Sequence, residues 1–252
     1  MDANRVAAPQ MRAITISREY GSGGGEIAAR LAKRLGWQLV DHEVVVRVAQ
    51  QLGVSEAEAE AYDEWTEGLV SRILSSLKIV QPAMPVAIPM QMTTGSRIYN
   101  EARCRVIEGA FAAGHVVIVG RGAQVLLAKR RNVLHVRVVA PLKLRVAYVM
   151  RREGLRQEEA LARIQLKDRI RTRYLQAEHR QNPEDAHLYD LVVNTGILDL
   201  ESVVDLICLA LERKASRLSI PTGELGPGAG LAPYAGQPAD FRPPESTTKP
   251  LE

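Results

Sequence analysis

Residues 13–35 of the chain read AITISREYGSGGGEIAARLAKRL, and this stretch decides the fold. The run AITI is apolar or β-branched and predicts a short strand over residues 13–16. Apolar residues then return at the three- and four-residue spacing of a helix over residues 25–35, and Gly36 follows where a helix-ending glycine belongs. The segment therefore predicts a strand, a glycine-rich turn and a helix.

Five residues of that turn are candidates for binding phosphate. Glycines let successive backbone N–H groups converge, and the N-terminus of the following helix adds partial positive charge. Such a turn is a site for phosphate, although the same pattern also serves as a tight turn without a ligand. The predicted phosphate-binding residues are Gly21, Ser22, Gly23, Gly24 and Gly25. Together with the two residues before them they are called the glycine loop below (residues 19–25).

The same alternation of strand and helix patterns continues along the chain. Short apolar runs predict strands over residues 37–40, 116–119, 133–139 and 191–193, and helical patterns predict helices over 42–52, from Pro141 as first helical residue, over 155–178 and over 200–211. Short apolar strands separated by helices imply an α/β fold, in which a short parallel sheet is covered by helices on both faces. Ligands of such folds bind beyond the carboxyl ends of the strands. Arg18, Asp41 and Arg121 follow or end predicted strands there.

The composition is that of a globular protein and excludes several classes. Of the 252 residues, 46% are hydrophobic and 25% are charged, so wholesale disorder is excluded. No run reaches the roughly 18 apolar residues of a membrane-spanning helix, and the first 12 residues lack the apolar stretch of a signal peptide. The two cysteines make neither a disulfide framework nor a metal site. We expect a cytoplasmic protein with no membrane segment and no metal-ligating cluster of side chains.

One folded unit is expected over residues 12–218, after a flexible N-terminal arm of residues 1–11. Residues 219–252 hold 7 of the 13 prolines and 5 of the 19 glycines. Such a composition buries too little apolar surface to offset the entropy of ordering, which predicts a disordered tail. Within the unit, residues 78–95 are rich in proline and methionine and predict a mobile excursion, one that either covers a site or docks a partner.

Positive charge is concentrated in one segment of the chain. The net charge is +4, and residues 143–180 hold 11 lysines and arginines against 5 acidic residues. A local excess of this kind indicates a small anionic ligand more than nucleic acid, for which no stable binding is expected. A solvated helix face is the alternative explanation.

Ordered motifs along the chain resemble those of a known family. The stretch from Ile14 to Ala28 is similar, without a gap, to the P-loop opening of bacterial cytidylate kinases, and is more similar still to the branch called cytidylate kinase-like proteins. Further similar blocks follow in order at residues 41–47, 117–122, 138–154, 167–174 and 189–195. The resemblance spans nearly all of residues 13–210. It implies a three-layer P-loop kinase-like fold with an arginine-rich helical lid over residues 155–180.

The resemblance also implies a reaction, which is transfer of the γ-phosphoryl group of ATP, with Mg²⁺, to a pyrimidine nucleoside monophosphate such as CMP. It assigns acceptor binding to Asp41, Arg47 and Arg121. Asp41 alternatively caps the helix predicted after it. In the lid, Arg169 and Arg173 are helix neighbours, four residues apart. Because Arg171 points roughly the opposite way, we expect Arg169 and Arg173 to face the phosphates as catalytic residues.

The glycine loop departs from the family pattern where phosphate and Mg²⁺ would bind. In the ungapped match, Arg18 stands at the first glycine of the Walker motif, Gly24 at its lysine, and Glu26 at the threonine of cytidylate kinases. The G-R-D triplet of the family is likewise broken, because Ala123 follows Gly122 and no aspartate is present. We expect Arg18 to be a catalytic residue that supplies the missing positive charge. Structural pairing of Arg18 with Glu19 or Glu26 is the alternative.

Three functions are consistent with the sequence. The first is the nucleotide kinase-like phosphotransferase that the resemblance implies. The second is a catalytically weak or inactive nucleotide-binding or regulatory protein on the same fold, since the loop lacks its lysine. The third is a kinase for another small phospho-acceptor. Nucleotide substrates are the expected partners, and the sequence indicates no oligomeric state.

Overall fold

The computed structural model of the chain describes residues 10–41 and 95–227. Arg47, the helix predicted over 42–52, nearly all of the predicted arm and excursion, and residues 228–252 lie outside the described residues. The chain divides into two units after Leu218. In the second unit the described residues form one short 3₁₀ turn, Thr222–Glu224. No helix of the described part is long and apolar enough to cross a bilayer.

Five parallel strands form a single sheet in the first unit. They are β1 (Ala13–Arg18), β2 (Gln38–Val40), β3 (Val116–Val119), β4 (Val133–Val139) and β5 (Leu191–Asn194). Their order across the sheet is β2-β3-β1-β4-β5, and every neighbouring pair is parallel. The predicted strands are confirmed, and β1 lies in the centre of the sheet. Its carboxyl end therefore opens directly into the glycine loop.

Helices connect the strands. They are α1 (Gly24–Leu35), α2 (Gly95–Ala113), α3 (Ala123–Leu126), α4 (Leu142–Glu153), α5 (Gln157–His179) and α6 (Leu200–Ala215), with a 3₁₀ turn at Ala186–Leu188. Gly36 ends α1 in the left-handed conformation, as predicted. Sequence reasoning missed α2 and α3. The sequence also predicted Pro141 as the first residue of α4. Pro141 is instead the residue before the helix, which it caps with an extended ψ of 136°.

Helices cover both faces of the sheet. On one face, Ile14, Ile16 and Val136 pack against α1 and α6. On the other face, Val116, Ile118 and Val133 pack against Ile107 and its apolar neighbours from α2 and α3. These contacts confirm the predicted three-layer α/β architecture, with apolar cores above and below the strands.

The second face changes from apolar to polar along the strands. Ala13 of β1 pairs with Val133 of β4, but the next same-face pair is Thr15 with His135, and the last is Ser17 with Arg137. All of these side chains are buried. The sequence thus places hydroxyl, imidazole and guanidinium groups inside the molecule at the carboxyl end of the sheet.

His135 makes the stability of the fold depend on pH. Its Nδ1 lies 2.8 Å from Thr15 Oγ1, and burial lowers the pKa of His135 from 6.5 to about 4. Between these two values the unfolded chain binds a proton that the folded chain does not. Since one pKa unit corresponds to about 1.4 kcal/mol, the free energy of unfolding should fall by about 3 kcal/mol as the pH drops from 6.5 to 4.

Denaturant unfolding at several pH values measures this dependence. We expect the His135→Asn variant to be less stable at pH 7 and to lose this part of the pH dependence. The exposed His187 is the control, and His187→Asn should keep it. An unchanged pH dependence in His135→Asn would contradict the assignment.

Candidate functional site

A cavity of about 200 Å³ opens beyond the carboxyl ends of β1, β3 and β4, and α5 closes one side of it. Five arginines line the cavity, together with three carboxylates. The arginines are Arg18, Arg121, Arg137, Arg145 and Arg171, and the carboxylates are Glu19, Asp168 and Glu184. This excess of positive charge, partly shielded from water, favours an anionic ligand.

Arg18 is one of the lining arginines, and two glycines determine the path of its side chain. It ends β1, and its side chain runs between Gly24 at the start of α1 and Gly120 at the end of β3. A Cβ atom on Gly24 would lie 2.6 Å from the Cβ of Arg18, and one on Gly120 would collide with the guanidinium. The absence of a side chain at both positions is what lets Arg18 reach the cavity. The residue types at positions 18 and 24 are therefore linked by sterics.

The charge of Arg18 is held in an environment that disfavours it. Burial, and then the positive charges of Arg171 and Arg121, lower the pKa of Arg18 to about 9, while Asp41 and Asp168 act in the opposite direction. The group is still charged at neutral pH. Among the described residues, no hydrogen bond or ion pair to the Arg18 guanidinium is found. Its charge is thus left for a ligand.

The alternative in which Arg18 pairs with an acidic neighbour is not seen. Glu26 lies 2.7 Å from Arg30 and also accepts a hydrogen bond from Tyr148 at 3.3 Å. The Arg30 hydrogen bond lowers the pKa of Glu26. Glu19 lies 3.4 Å from Arg145. Both carboxylates are occupied elsewhere, and Glu26 is neutralised by a cation of its own helix.

The five predicted phosphate-binding residues lie beside the cavity and do not line it. Gly23 caps α1 with a φ of 79°. Among the described residues, no side chain is found to hydrogen-bond the N–H groups of the first turn, so these groups can bind an anion. Ser22 Oγ donates within the protein, to the carbonyls of Glu19 (2.9 Å) and Val138 (3.1 Å). Gly25 faces open space. Ser22 thus has a structural role, and the backbone is the part that can bind phosphate.

An ion pair and several hydrogen bonds to backbone groups fix α5 and α4 to the glycine loop. Asp168 accepts a hydrogen bond from the Tyr20 N–H at 2.7 Å and another from Arg145 Nη1 at 2.6 Å. Arg145 also donates to the carbonyls of Ala140 (3.0 Å) and Tyr20 (3.2 Å). Arg145 is consequently bound by protein groups at its Nε and Nη1, although it borders the cavity, and it positions the loop.

The predicted orientation of the arginines on α5 is wrong. Arg171 faces the cavity and donates to the carbonyl of Arg18 at 3.3 Å, whereas Arg169 and Arg173 are exposed and do not line it. The reason is visible in the sequence. The buried residues Ile164 and Leu175 mark the inner face of α5, and position 171 lies on that face at helical spacing. The helix itself is confirmed, and its movement as a lid stays a prediction.

Arg121 is placed by a strained turn. Gly120, Arg121 and Gly122 follow β3 with φ angles of 73°, 61° and 71°. A left-handed arginine costs conformational energy, and such strain is common at functional sites. The Tyr174 hydroxyl donates to the Arg121 carbonyl at 3.4 Å. Burial lowers the pKa of Arg121, and the charge of Asp41 acts to raise it, so the structure brings Asp41 and Arg121 together with Arg18.

Arg137 and Asp168 are site residues that sequence reasoning did not assign. Arg137 interrupts the otherwise apolar run of β4, and a charge inside a buried strand is a signal that sequence alone can supply. Asp168 carried no such signal, because its role depends on the packing of α5 against the loop.

The chain is similar in sequence and in fold to known proteins. A model described as the cytidylate kinase-like family matches residues 13–197. The chain belongs to this family. The cytidylate kinase of Ignicoccus hospitalis is 27% identical over 198 residues, which are 78% of this chain and 97% of that protein. A solved structure of an uncharacterized protein from Eubacterium ventriosum shares the fold, with a TM-score of 0.60 at 20% identity, over 80% of this chain and 99% of that one.

One further relative matches over a shorter stretch. A uronate isomerase of Corynebacterium glutamicum is 37% identical over 98 residues, which are 39% of this chain. The matched stretch is only 19% of that protein, so the similarity concerns a segment of it. The match to the cytidylate kinase-like family, over residues 13–197, spans all five strands and the residues that line the cavity.

The linkage between positions 18 and 24 predicts a double-mutant cycle. Arg18→Gly removes the charge, and Gly24→Lys drives a side chain into the Cβ of Arg18. We expect each single variant to bind inorganic tripolyphosphate about tenfold more weakly or worse, and the double variant to recover most of the affinity, because charged hydrogen bonds are worth about 1.5–3 kcal/mol. Calorimetric titration measures the three affinities. A double variant that binds as weakly as the product of the two losses predicts would show that the positions are independent.

Proposed function

We propose that the protein is a cytoplasmic phosphotransferase that moves the γ-phosphoryl group of ATP to a pyrimidine nucleoside monophosphate such as CMP. The observation that carries the proposal is the Arg18 guanidinium. It lies half-buried beside the first turn of α1 and shares one cavity with Arg121 and Arg171. Membership in the cytidylate kinase-like family supports the reaction class.

In phosphoryl transfer, a protein mainly positions the two substrates and neutralises the charge of the transferred group. In this proposal the N–H groups at the start of α1 hold the donor phosphates, and Arg18 supplies the charge that a Walker lysine would carry. Arg121 holds the phosphate of the acceptor, because a guanidinium grips phosphate through two parallel hydrogen bonds. Arg171, at the boundary between α5 and the loop, neutralises the charge that spreads over the transferred group.

Mg²⁺ fits this site only as a partner of the nucleotide. Among the described residues, no group of three His, Cys, Asp or Glu side chains could hold a metal. Glu26 and Asp168 are already paired with arginines. Mg²⁺ commonly retains waters and binds through substrate phosphates. The ion would therefore neutralise the phosphates, while the side chains of the protein orient them.

A nucleotide-binding protein without turnover is the second candidate. The observation that favours it is the link between Asp168 and the Tyr20 N–H, which places a carboxylate beside the loop that should bind phosphate. Such a protein would bind ATP through the same arginines and release no ADP.

Formation of ADP from ATP and Mg²⁺, with a panel of nucleoside monophosphates, separates the two candidates. We expect turnover with CMP in the wild type. Arg171→Met should lower kcat by about 100-fold, the usual cost of removing one donor to transition-state charge. Arg173→Met, two residues along the same helix but exposed, is the matched control and should retain activity. ATP binding without ADP release in the wild type would favour the second candidate.

Arg18→Met tests the role of the buried charge independently of turnover. Because burial disfavours this guanidinium, its removal should raise the melting temperature of the ligand-free protein, by about 2–4 °C for each kcal/mol relieved. ATP at 100 times its dissociation constant should add about 2.7 kcal/mol to the stability of the wild type and much less to that of the variant. Differential scanning fluorimetry measures both effects. A variant stabilised by ATP as strongly as the wild type would remove Arg18 from the site.

A further inference from the structure

Arg137 is a charged side chain inside the sheet, and the phosphoryl-transfer site described above does not use it. It stands in the middle of β4 with 7% of its surface exposed, and that remaining surface borders the cavity. Arg137 therefore lies at the floor of the cavity, on the polar face formed with β1.

The protein supplies Arg137 with only neutral partners. Its Nη1 donates to Ser17 Oγ at 3.2 Å, and its guanidinium lies 5.7 Å from the centre of the Tyr189 ring. The Tyr189 hydroxyl is itself anchored by a hydrogen bond to the Pro183 carbonyl at 2.9 Å. Among the described residues, no carboxylate forms an ion pair with Arg137. The contrast is Arg145, which borders the same cavity but is bound to both Asp168 and Glu19.

Another lining residue of the cavity, Arg171, carries a charge of the same sign as Arg137. The charge of Arg137 contributes to lowering the pKa of Arg171, after the larger effect of burial. Arg137 is buried and Arg171 is partly exposed, and the repulsion between their guanidinium groups is costly unless an anion enters between or beside them. A neutral base edge could accept hydrogen bonds from Arg137 but would leave its charge uncompensated.

We propose that Arg137 and Ser17 form a second anion subsite at the floor of the cavity. In this subsite the Arg137 guanidinium and the Ser17 hydroxyl hold a carboxylate or a phosphate group of the acceptor, in addition to the phosphate held by Arg121. The inference rests on the proposed phosphotransferase function and narrows its substrate class. The preferred acceptor is then a pyrimidine nucleotide that carries an anionic group in addition to its 5′-phosphate, and CMP is a weaker-binding acceptor.

Matched pairs of nucleotides test the subsite by calorimetric titration of the full chain. Orotidine 5′-monophosphate differs from UMP by one carboxylate, and cytidine 3′,5′-bisphosphate differs from CMP by one phosphate. We expect at least one charged member to bind about tenfold or more tightly than its partner, the range expected for a charge-assisted hydrogen bond. The pair that shows the preference identifies the anionic group.

Substitution then assigns the preference to Arg137. Arg137→Met should abolish the preference while keeping the affinity for UMP and CMP. Arg151→Met, on the exposed surface of α4, is the control and should retain it. Should Arg137→Met fail to fold, Arg137→Gln keeps a hydrogen-bond donor for Ser17 without the charge, and the same loss is expected.

Two results would overturn the subsite. One is a wild type that binds both members of each pair equally, and the other is a preference that survives in the Arg137 variant. Neither result depends on turnover, because binding is measured without ATP. A protein that shows the preference but forms no ADP with any of the four nucleotides would refute the proposed phosphotransferase and leave the subsite standing.

Discussion

The packing of the Arg18 side chain between two glycines organises the whole carboxyl edge of the sheet. Gly24 opens α1 and Gly120 ends β3, so the arginine touches the glycine loop on one side and the strained turn before α3 on the other. Its position at the end of the central strand β1 is fixed by ladder pairing with β4. One side chain thereby ties three neighbouring segments together, and its charge adds to that of the other four arginines that line the cavity.

The second determinant is the way in which α5 is attached to the loop. Asp168 binds a backbone N–H of the loop and the side chain of Arg145, and Arg171 returns from the same helix to the carbonyl of Arg18. Acidic and basic groups alternate along this contact. The helix can approach a positively charged cavity because its own carboxylate offsets part of the repulsion. The Arg145–Asp168 ion pair thus fixes α4 and α5 to the loop. Among the described residues, by contrast, no ion pair is found for the guanidinium groups of Arg18 and Arg137.

Much of the sheet could be predicted from the sequence, because its signals are local. The apolar runs of β3 and β4 and the glycine that ends α1 need no tertiary information. The orientation of Arg171 did not follow from the spacing of the arginines alone; the buried Ile164 and Leu175 had to be used as markers of the inner face. Asp168 could not be assigned, since its partners are 148 and 23 residues away along the chain. The α2 helix was missed because the proline- and methionine-rich composition of residues 78–95 predicts an excursion, although Thr93 and Thr94 are residue types that favour a helix start.

Reciprocal packing at positions 18 and 24 also constrains how such a loop can evolve. A lineage with glycine first and lysine seventh in the loop motif, and one with arginine first and glycine seventh, each hold one long cation in the same space. Any path between them by single substitutions passes through a protein with either two colliding side chains or none. A change from one arrangement to the other therefore requires substitutions at positions 18 and 24 at nearly the same time, or other substitutions that compensate for the loss of the cation. The two arrangements should form separate branches, with few intermediates surviving between them.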